Sequence, residues 1–226
     1  MKRSISFWIF FVLSIILAIY FSVRVIMTTM GYGNASKLHN ISIVADIKDK
    51  NLNELKNAAI LSKTQKFYKI KLQDVNNKIL SVPGVKESAV HRYPNGNLSI
   101  HVKMYHAIAL WTDGENYFPL SDDGVIVKKP IPERTRGSIV FRGTIPNDIT
   151  KITNAANDMI FDLDYIEWIE NRRWDLHTLG GITIQLPEQN PHDAIARLVD
   201  INKTHNILNR DIKIIDMRDD SRILVR

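Results

Sequence analysis

The chain has 226 residues, with 30 Lys and Arg against 24 Asp and Glu, a formal net charge of +6, 45% hydrophobic residues and no cysteine. This length allows one or two domains with a core each, and the composition excludes a disordered or collagen-like chain. Without cysteine, a disulfide framework, a thiolate zinc site and a thiol nucleophile are excluded as well.

An uncharged apolar run, residues 4–23, stands near the amino terminus. At about 1.5 Å rise per residue it forms a helix of about 30 Å, the thickness of the hydrocarbon core of a bilayer. Trp8 and Tyr20 suit the two headgroup regions, and Arg24 can extend its charge toward water. The run therefore predicts one membrane-spanning helix with these three residues as its interfacial anchors.

A cleaved secretory signal is the alternative for this run. Such a signal carries an apolar region of about 7–15 residues and then a small-x-small cleavage site. The run here is longer, and residues 21–30 offer no convincing site of that kind. We therefore predict a retained anchor over residues 4–24, preceded by a short tail of residues 1–3.

The cations around the anchor affect both its orientation and the charge of the rest of the chain. Lys2, Arg3 and the charged amino terminus precede the run, while Arg24 and Lys37 follow it, so three positive charges against two favour a cytoplasmic amino terminus. Three of these cations directly flank the anchor, which leaves about half of the +6 surplus for the remaining residues. A surplus this small is not typical of a nucleic-acid-binding protein.

A short strand and two helices are predicted after the anchor. Residues 25–38 contain Gly, Asn and Ser and predict a linker, and residues 41–44 form a β-type run. Asn51 resembles the N-cap of a first helix, and Asp74 is predicted to cap a second one. The second helix must end near the Val-Pro-Gly of residues 82–84.

The next segment predicts a β-hairpin. Residues 89–93 and 98–102 flank a turn that contains Asn95 and Gly96, the pair preferred where both turn residues need a positive φ. In the second strand, apolar residues for the core alternate with polar residues for solvent: Leu98, Ile100 and Val102 against Ser99, His101 and Lys103. The order β-α-α-β-β over about residues 40–103 is that of a compact two-layer unit.

The second half of the chain is dominated by predicted strands, with helices packed on one side. A turn at Asp122-Asp123-Gly124 is predicted between strands, and Asn147 and Asn190-Pro191 precede the two helical patterns. The predicted strands cover residues 108–111, 118–120, 125–127, 166–169, 174–178, 182–186, 212–216 and 223–225.

No catalytic or phosphate-binding motif occurs in the sequence. His91, His101 and His106 lie on or near the hairpin, but zinc would need a third ligand and supporting hydrogen bonds, so solvated histidines are the better interpretation. Asp162 and Asp164 could pair for acid–base chemistry, although an exposed acidic edge is the simpler reading. No metal and no cofactor is predicted.

Two features remain for protein recognition. Arg172-Arg173-Trp174 is either a guanidinium and aromatic patch for a partner carboxylate, or a solvated turn that leads into a hairpin whose tryptophan is core. The last residues, 217–226, end in a β-type run. At a sheet edge, the unpaired N–H and C=O groups of such a strand form a template for an added strand.

Several segments together resemble the FtsQ/DivIB family of bacterial cell-division proteins, in the version seen in alphaproteobacteria. The resembling segments are Leu80–Val85, Ala89–Pro94, Leu98–Val102, Ala109–Trp111, Arg172–Leu176, Gly181–Glu188, Arg210–Ile212 and Asp216–Arg218. The resemblance covers about residues 5–226, and the order of these segments after a single anchor is distinctive.

This resemblance implies an α+β fold with a single N-terminal transmembrane helix, a β-α-α-β-β POTRA domain and then an antiparallel β-rich domain with flanking helices. It implies a non-enzymatic divisome scaffold of the inner membrane, single-pass type II, with its C-terminal region in the periplasm at the division septum. The implied segments are a cytoplasmic tail 1–3, an anchor 4–24, a linker 25–38, a POTRA domain 39–107 and an FtsQ-type β domain 108–226.

The resemblance also implies the partners and the residues that bind them. The FtsB/FtsL pair would add a strand to the last strand of the β domain, other septal proteins would use the POTRA domain, and no nucleic acid or small-molecule substrate is expected. The implied partner-binding residues are Arg172, Arg218, Asp219, Ser221, Ile223 and Val225. The family often has an aromatic residue where Asp219 stands, and Glu and Pro where Met104 and Ala107 stand.

Two other functions stay open from the sequence alone. A POTRA-type periplasmic chaperone or translocation module is the first, although no transmembrane-barrel strands follow the unit. An anchored hydrolase that uses Asp162 and Asp164 is the second.

Overall fold

The computed structural model describes residues 2–29, 37–46, 52–61, 66–219 and 222–226. It divides into two compact units, Met1–Met104 and Tyr105–Arg226. Asn51, residues 30–36 of the predicted linker and Ser221 lie outside the described residues. The assignment of the two units as a POTRA domain and an FtsQ-type β domain stays a prediction.

Helix α1, Lys2–Thr29, contains the predicted anchor. Within it, Ser6–Met27 is long and apolar enough to cross a membrane, and none of this stretch is buried against the protein. Trp8 makes an edge-to-face ring contact with Phe11 at one end, and Arg24 Nη1 donates to the Tyr20 hydroxyl at 3.0 Å at the other. A helix with apolar side chains exposed all round is typical of a membrane span.

The first unit contains the predicted β-α-α-β-β order, which the structure confirms. Its elements are β1 Asn40–Ala45, α2 Leu52–Ala58, a 3₁₀ turn Phe67–Lys69, α3 Leu72–Leu80, β2 Val85–Arg92 and β3 Asn97–Met104. The sheet order is β1-β3-β2, with β1 parallel and β2 antiparallel to β3. Leu55, Val75 and Ile79 of the helices bury against Leu98 and Ile100 of β3.

Two sequence predictions for strand β3 and helix α3 need correction. Ser99 is buried instead of solvated, and its hydroxyl lies 3.1 Å from His101 Nε2, which satisfies the buried oxygen. The N-cap of α3 is Lys71, not Asp74. Asp74 lies in the first turn of α3, where its carboxylate faces the positive end of the helix dipole.

The hairpin turn also differs from its predicted geometry. Only Gly96 has a positive φ, +84°, and Asn95 does not. The Gly96 N–H donates to Tyr93 O at 3.2 Å, and the Tyr93 N–H donates to Asn97 O at 2.9 Å. This pattern fits a type I turn with Pro94 at its second position, followed by a left-handed glycine, because proline favours that position.

The second unit is built on one eight-stranded sheet with the order β11-β10-β9-β8-β7-β6-β4-β5. Its strands are β4 Ala107–Thr112, β5 Tyr117–Ser121, β6 Val140–Arg142, β7 Leu163–Ile169, β8 Arg173–Thr178, β9 Thr183–Gln185, β10 Ile214–Asp216 and β11 Leu224–Val225. Its longer helices are α4 Thr150–Ala156 and α5 Pro191–His205.

This sheet is mixed rather than antiparallel throughout, which corrects one detail of the predicted α+β fold. The pairs β4–β6, β6–β7 and β9–β10 are parallel. Parallel neighbours need a crossover connection, and α4 and α5 provide it between β6 and β7 and between β9 and β10. The two helices contact each other, so both cover the same face of the sheet, as predicted.

The two faces of this sheet differ in character. Phe141, Ile166 and Leu176 bury against the helices. On the opposite face, polar residues lie side by side across the central strands. This row runs from β6 to β10 as Arg142, Glu167, Asp175, Gln185 and Asp216.

Smaller predictions fail at the ends of elements. Residues 125–127 form no strand, and only Ile126 bridges to Leu120. Helix α4 has Ile149 as its N-cap, two residues after Asn147, and the side chain of Asp148 accepts from the Thr150 N–H at 3.0 Å.

Candidate protein-binding edge

Strand β11 lies at one end of the eight-stranded order and pairs only with β10 among the strands described. Arg226 and Ile214 exchange two backbone hydrogen bonds, of 3.0 and 3.1 Å. In an antiparallel ladder the next pair, Ile215 with Val225, is then not hydrogen-bonded, so the N–H and C=O of Val225 point away from β10. These outward groups are what an added strand requires.

The side chains of β11 lie on both faces of the sheet. Val225 is 48% exposed on the face of Ile215, and Leu224 is 43% exposed on the opposite face beside Asp216. Ile223 is half-buried and packs against the core of the unit. Leu224 is not among the residues that the family resemblance implies, because its role comes from its pairing with Asp216 on β10.

The structure brings Arg172 and Arg218 together. Both line a cleft of about 350 Å³. The other residues that line it are Arg173, Leu186, Pro187, Glu188 and Gln189. Of these, sequence reasoning missed Glu188 and Gln189, for which the only signal was their place directly after a predicted strand.

Arg172 owes its position to the tight turn between β7 and β8. Glu170 and Asn171 both adopt left-handed conformations, and the Arg172 N–H closes the turn on Ile169 O at 3.1 Å. The Arg172 guanidinium then binds Glu170 Oε2 at 2.8 Å and Glu188 Oε1 at 3.0 Å. These exposed ion pairs orient the guanidinium but stabilise the fold only slightly.

Arg218 is held by Asp216 at the end of β10. Its Nε and Nη2 atoms bind the two carboxylate oxygens at 2.9 and 2.6 Å, and its own N–H donates to Asp216 Oδ1 at 3.1 Å. The hydrogen bond from Arg218 lowers the pKa of Asp216 from its usual 3.8 to about 2, against the opposing effect of burial. The same contact raises the pKa of Arg218.

The cleft is rich in cationic groups. It contains the guanidinium groups of Arg172, Arg173 and Arg218 and one carboxylate, that of Glu188, among the residues that line it. Arg173 forms an ion pair with the buried Asp175 at 3.1 Å. Arg172 and Arg218 also form ion pairs, but they are the more exposed arginines of the cleft. Such paired, oriented guanidinium groups are suited to recognise a carboxylate.

The aromatic half of the proposed Arg-Arg-Trp patch is not at the surface. Trp174 is 5% exposed, and its ring lies 5.5 Å from that of Phe141 and 4.6 Å from that of Trp168. The tryptophan is therefore a core residue of the hairpin, and only the arginines contribute to the cleft.

The remaining predicted site residues are dispersed. Asp219 pairs with Arg222 at 3.0 Å on the exposed segment after β10. Asp162 and Asp164 are exposed, and Asp164 lies 3.8 Å from Arg134. Neither of them lines the cleft that contains Arg172 and Arg218.

The histidines of the hairpin do not form a metal centre in the described part of the chain. His91 and His101 face each other with ring centroids 5.6 Å apart. No group of three or more possible metal ligands occurs among the residues described. Solvated histidines remain the better interpretation for this pair.

Comparison with known proteins relates most of the second unit to one family. Residues 109–218 match the family described as cell division protein FtsQ/DivIB, C-terminal. The cell division protein FtsQ of Rickettsia conorii is 25% identical over 218 residues, which is 91% of this chain and 77% of that protein. FtsQ of Zymomonas mobilis is 27% identical over 166 residues, 70% of this chain and 52% of that protein.

A solved structure shows a weaker similarity. The major extracytoplasmic domain of the cell division protein DivIB from Geobacillus stearothermophilus is 15% identical, with a TM-score of 0.30, and covers 47% of this chain and 98% of that domain.

Proposed function

Because residues 109–218 match the FtsQ/DivIB family of cell-division proteins, we propose that the chain belongs to this family and is a non-enzymatic, membrane-anchored scaffold that binds the FtsB/FtsL pair by β-strand addition. In this proposal α1 holds the protein in the inner membrane as a single-pass type II protein. The two units lie in the periplasm at the septum, where they link early and late division proteins and help to control septal peptidoglycan synthesis. The open edge of β11 is the observation that carries the proposal.

The backbone of β11 supports strand addition. The N–H and C=O groups of Val225 point outward because Arg226 uses its own groups to bind Ile214. If the same alternation continues two residues before Val225, the N–H and C=O groups of Ile223 point outward as well. A partner strand that pairs with Ile223 and Val225 would extend the eight-stranded sheet without breaking any bond between β10 and β11.

Burial of β11 would add to this pairing. Leu224 and Val225 are both partly exposed, on opposite faces of the sheet. A strand laid alongside them would cover apolar surface on both faces, and each square ångström of apolar area removed from water contributes about 25 cal/mol. The charged neighbours Arg222 and Arg226 discourage indiscriminate pairing of the edge and favour a partner of matching charge.

The arginine cleft provides a second contact of different chemistry. Arg218 lies two residues after β10 and binds Asp216, which is the strand partner of Leu224 in β11. Asp216 therefore contacts both the cleft and the edge strand. We propose that a carboxylate of the partner binds Arg172 and Arg218 while the adjoining partner strand pairs with β11.

The test measures binding of the FtsB/FtsL pair to the full chain in lipid nanodiscs. Val225→Pro and Ile223→Pro each remove an outward N–H donor, and we expect both variants to lose most of the affinity. Hydrogen exchange at Ile214 and Arg226, whose N–H groups donate to each other's carbonyl oxygens, serves on the same samples as the control for an intact pairing of β10 with β11. Unchanged binding in both variants rules out strand addition at this edge.

A further inference from the structure

A basic surface in the first unit is used by neither the strand edge nor the arginine cleft. It consists of Lys66, Tyr68, Lys69 and Lys71, all exposed, in the segment between α2 and α3. Tyr68 is 37% exposed, although aromatic rings of this size are more often buried. An aromatic ring among lysines is a combination that suits a charged interface with an apolar layer beneath it.

Local geometry places these side chains together. Phe67–Lys69 forms a 3₁₀ turn, in which residues three apart lie above one another, so Lys66 and Lys69 share a side. The Lys69 N–H donates to Lys66 O at 2.9 Å. Phe67 and Ile70 are both buried and hold the segment against the core, which turns the lysines and the tyrosine outward.

Arg92 of β2 holds the basic surface in place from beneath. Its Nη1 donates to Tyr68 O at 3.2 Å, and its Nη2 donates to Ile70 O. Its guanidinium also lies 5.3 Å from the centre of the Phe67 ring. The surface is therefore formed before any partner binds, and Arg92 adds a further positive charge beneath it. Asp74 in α3 is the acidic residue that follows closest along the chain.

From this geometry we infer that the basic surface docks on the anionic lipid headgroups of the membrane that holds α1. Helix α1 ends at Thr29 and β1 begins at Asn40. The ten residues between them span at most about 36 Å even when fully extended, so an embedded α1 keeps the first unit within reach of the bilayer. Tethering at this distance raises the effective concentration of the surface at the headgroups.

A lipid surface fits this patch better than an acidic protein. Lysine clusters beside a membrane span are attracted by anionic headgroups, and a tyrosine ring is favoured at the membrane–water interface. The inference rests on α1 being embedded in the membrane, as proposed above, and not on strand addition. Docking would restrict the orientation of the first unit.

The experiment uses the absence of cysteine, which allows a single label to be placed. Gln73→Cys, exposed beside Lys71, carries a fluorophore in the full chain, which is reconstituted in nanodiscs of phosphatidylcholine alone or with phosphatidylglycerol. Headgroup-attached quenchers are expected to quench this label in the anionic discs only. The matched control is Ala89→Cys, an exposed position on β2, whose label should show no lipid dependence.

Two changes should abolish the effect. Replacing Lys66, Lys69 and Lys71 by Gln should lower the equilibrium constant for docking roughly fivefold per lysine. Salt at about 1 M, where the Debye length is about 3 Å, should do the same. Equal quenching in the two lipids, or quenching that survives the triple substitution, overturns the inference.

A label unquenched in both lipids also overturns the inference and leaves an acidic protein as the partner of this surface. Co-elution of the chain with the discs reports on the anchor separately. A chain that is bound to discs but shows no lipid-dependent quenching therefore contradicts docking alone and leaves the membrane anchor intact.

Discussion

Arg218 binds both carboxylate oxygens of Asp216, at 2.9 and 2.6 Å, at the point where Asp216 pairs with Leu224 of the edge strand β11. One ion pair therefore connects the arginine cleft to the strand edge. Its strength is expressed in the pKa of Asp216, which the Arg218 guanidinium lowers to about 2.

This ion pair predicts an acid-dependent loss of stability. The pKa of Asp216 is lower in the folded protein than its usual 3.8, so its contribution is fully present above pH 3.8 and is lost as the pH falls through about 2. We expect Asp216→Asn to lower the urea midpoint of the second unit at neutral pH, with the difference from the unaltered chain shrinking over this interval. Asp219→Asn, in the exposed pair with Arg222, is the control and should show little effect at any pH.

Arg172 should matter for binding and little for stability. We expect Arg172→Ala to weaken FtsB/FtsL binding by about tenfold, which is the order of one charge-assisted hydrogen bond. The free energy of unfolding should change by less than about 0.5 kcal/mol. Titration by calorimetry on the full chain in nanodiscs measures the first quantity, and urea unfolding measures the second.

Glu188 provides the matched test of the same cleft. Its carboxylate binds the Arg172 guanidinium at 3.0 Å and would compete with a carboxylate of the partner. Glu188→Gln should therefore preserve or strengthen the binding of the partner carboxylate. If Arg172→Ala and Glu188→Gln weaken binding equally, the cleft does not act as a carboxylate site.

Gly96 is predicted to be required in the hairpin of the first unit for two reasons. Its φ of +84° strains any other residue, and an added Cβ would lie 2.1 Å from His39 Nδ1 and 2.7 Å from Lys37 O. We expect Gly96→Ala to destabilise the unit by about 1–3 kcal/mol. Gly114 has a φ of +102° with no atom near its added Cβ, so Gly114→Ala reports the backbone strain alone and should cost less in the same unfolding measurement.

Truncation of two phenylalanines of the second unit should change its stability by very different amounts. Phe141 is fully buried against Trp174, and Phe141→Ala should cost about 3–5 kcal/mol of unfolding free energy. Phe161 is 77% exposed, and Phe161→Ala should change stability by less than about 0.5 kcal/mol. A large loss for Phe161→Ala would mean that its loop packs more tightly than its exposure indicates.

Local patterns were sufficient for much of the fold. The alternation around Leu98 and the Asn95-Gly96 pair located the hairpin, because side chains alternate along a strand whatever its partners are. The turn type was wrong because Pro94 competes with the Asn-Gly preference and favours a type I turn. The predicted N-cap of α3 was wrong by three residues because capping preferences are weak beside tertiary packing.

The candidate site was only partly within reach of the sequence. Arg172 and Arg218 were singled out one by one through a family resemblance, but nothing local to either residue places them in one cleft. Leu224 and Glu188 were missed because their roles come from neighbours on other strands.

The sequence by itself predicted a helix long and apolar enough to cross a membrane, because an uncharged run of about twenty residues matches the thickness of the hydrocarbon core. It also determined the order of strands and helices in the first unit, which depends on local periodicity. Only the tertiary structure decided that β11 is an edge and that Val225 presents its backbone outward. Strand order and register arise from hydrogen bonds between segments distant in sequence, and a shift of one residue in register would have turned those groups toward β10.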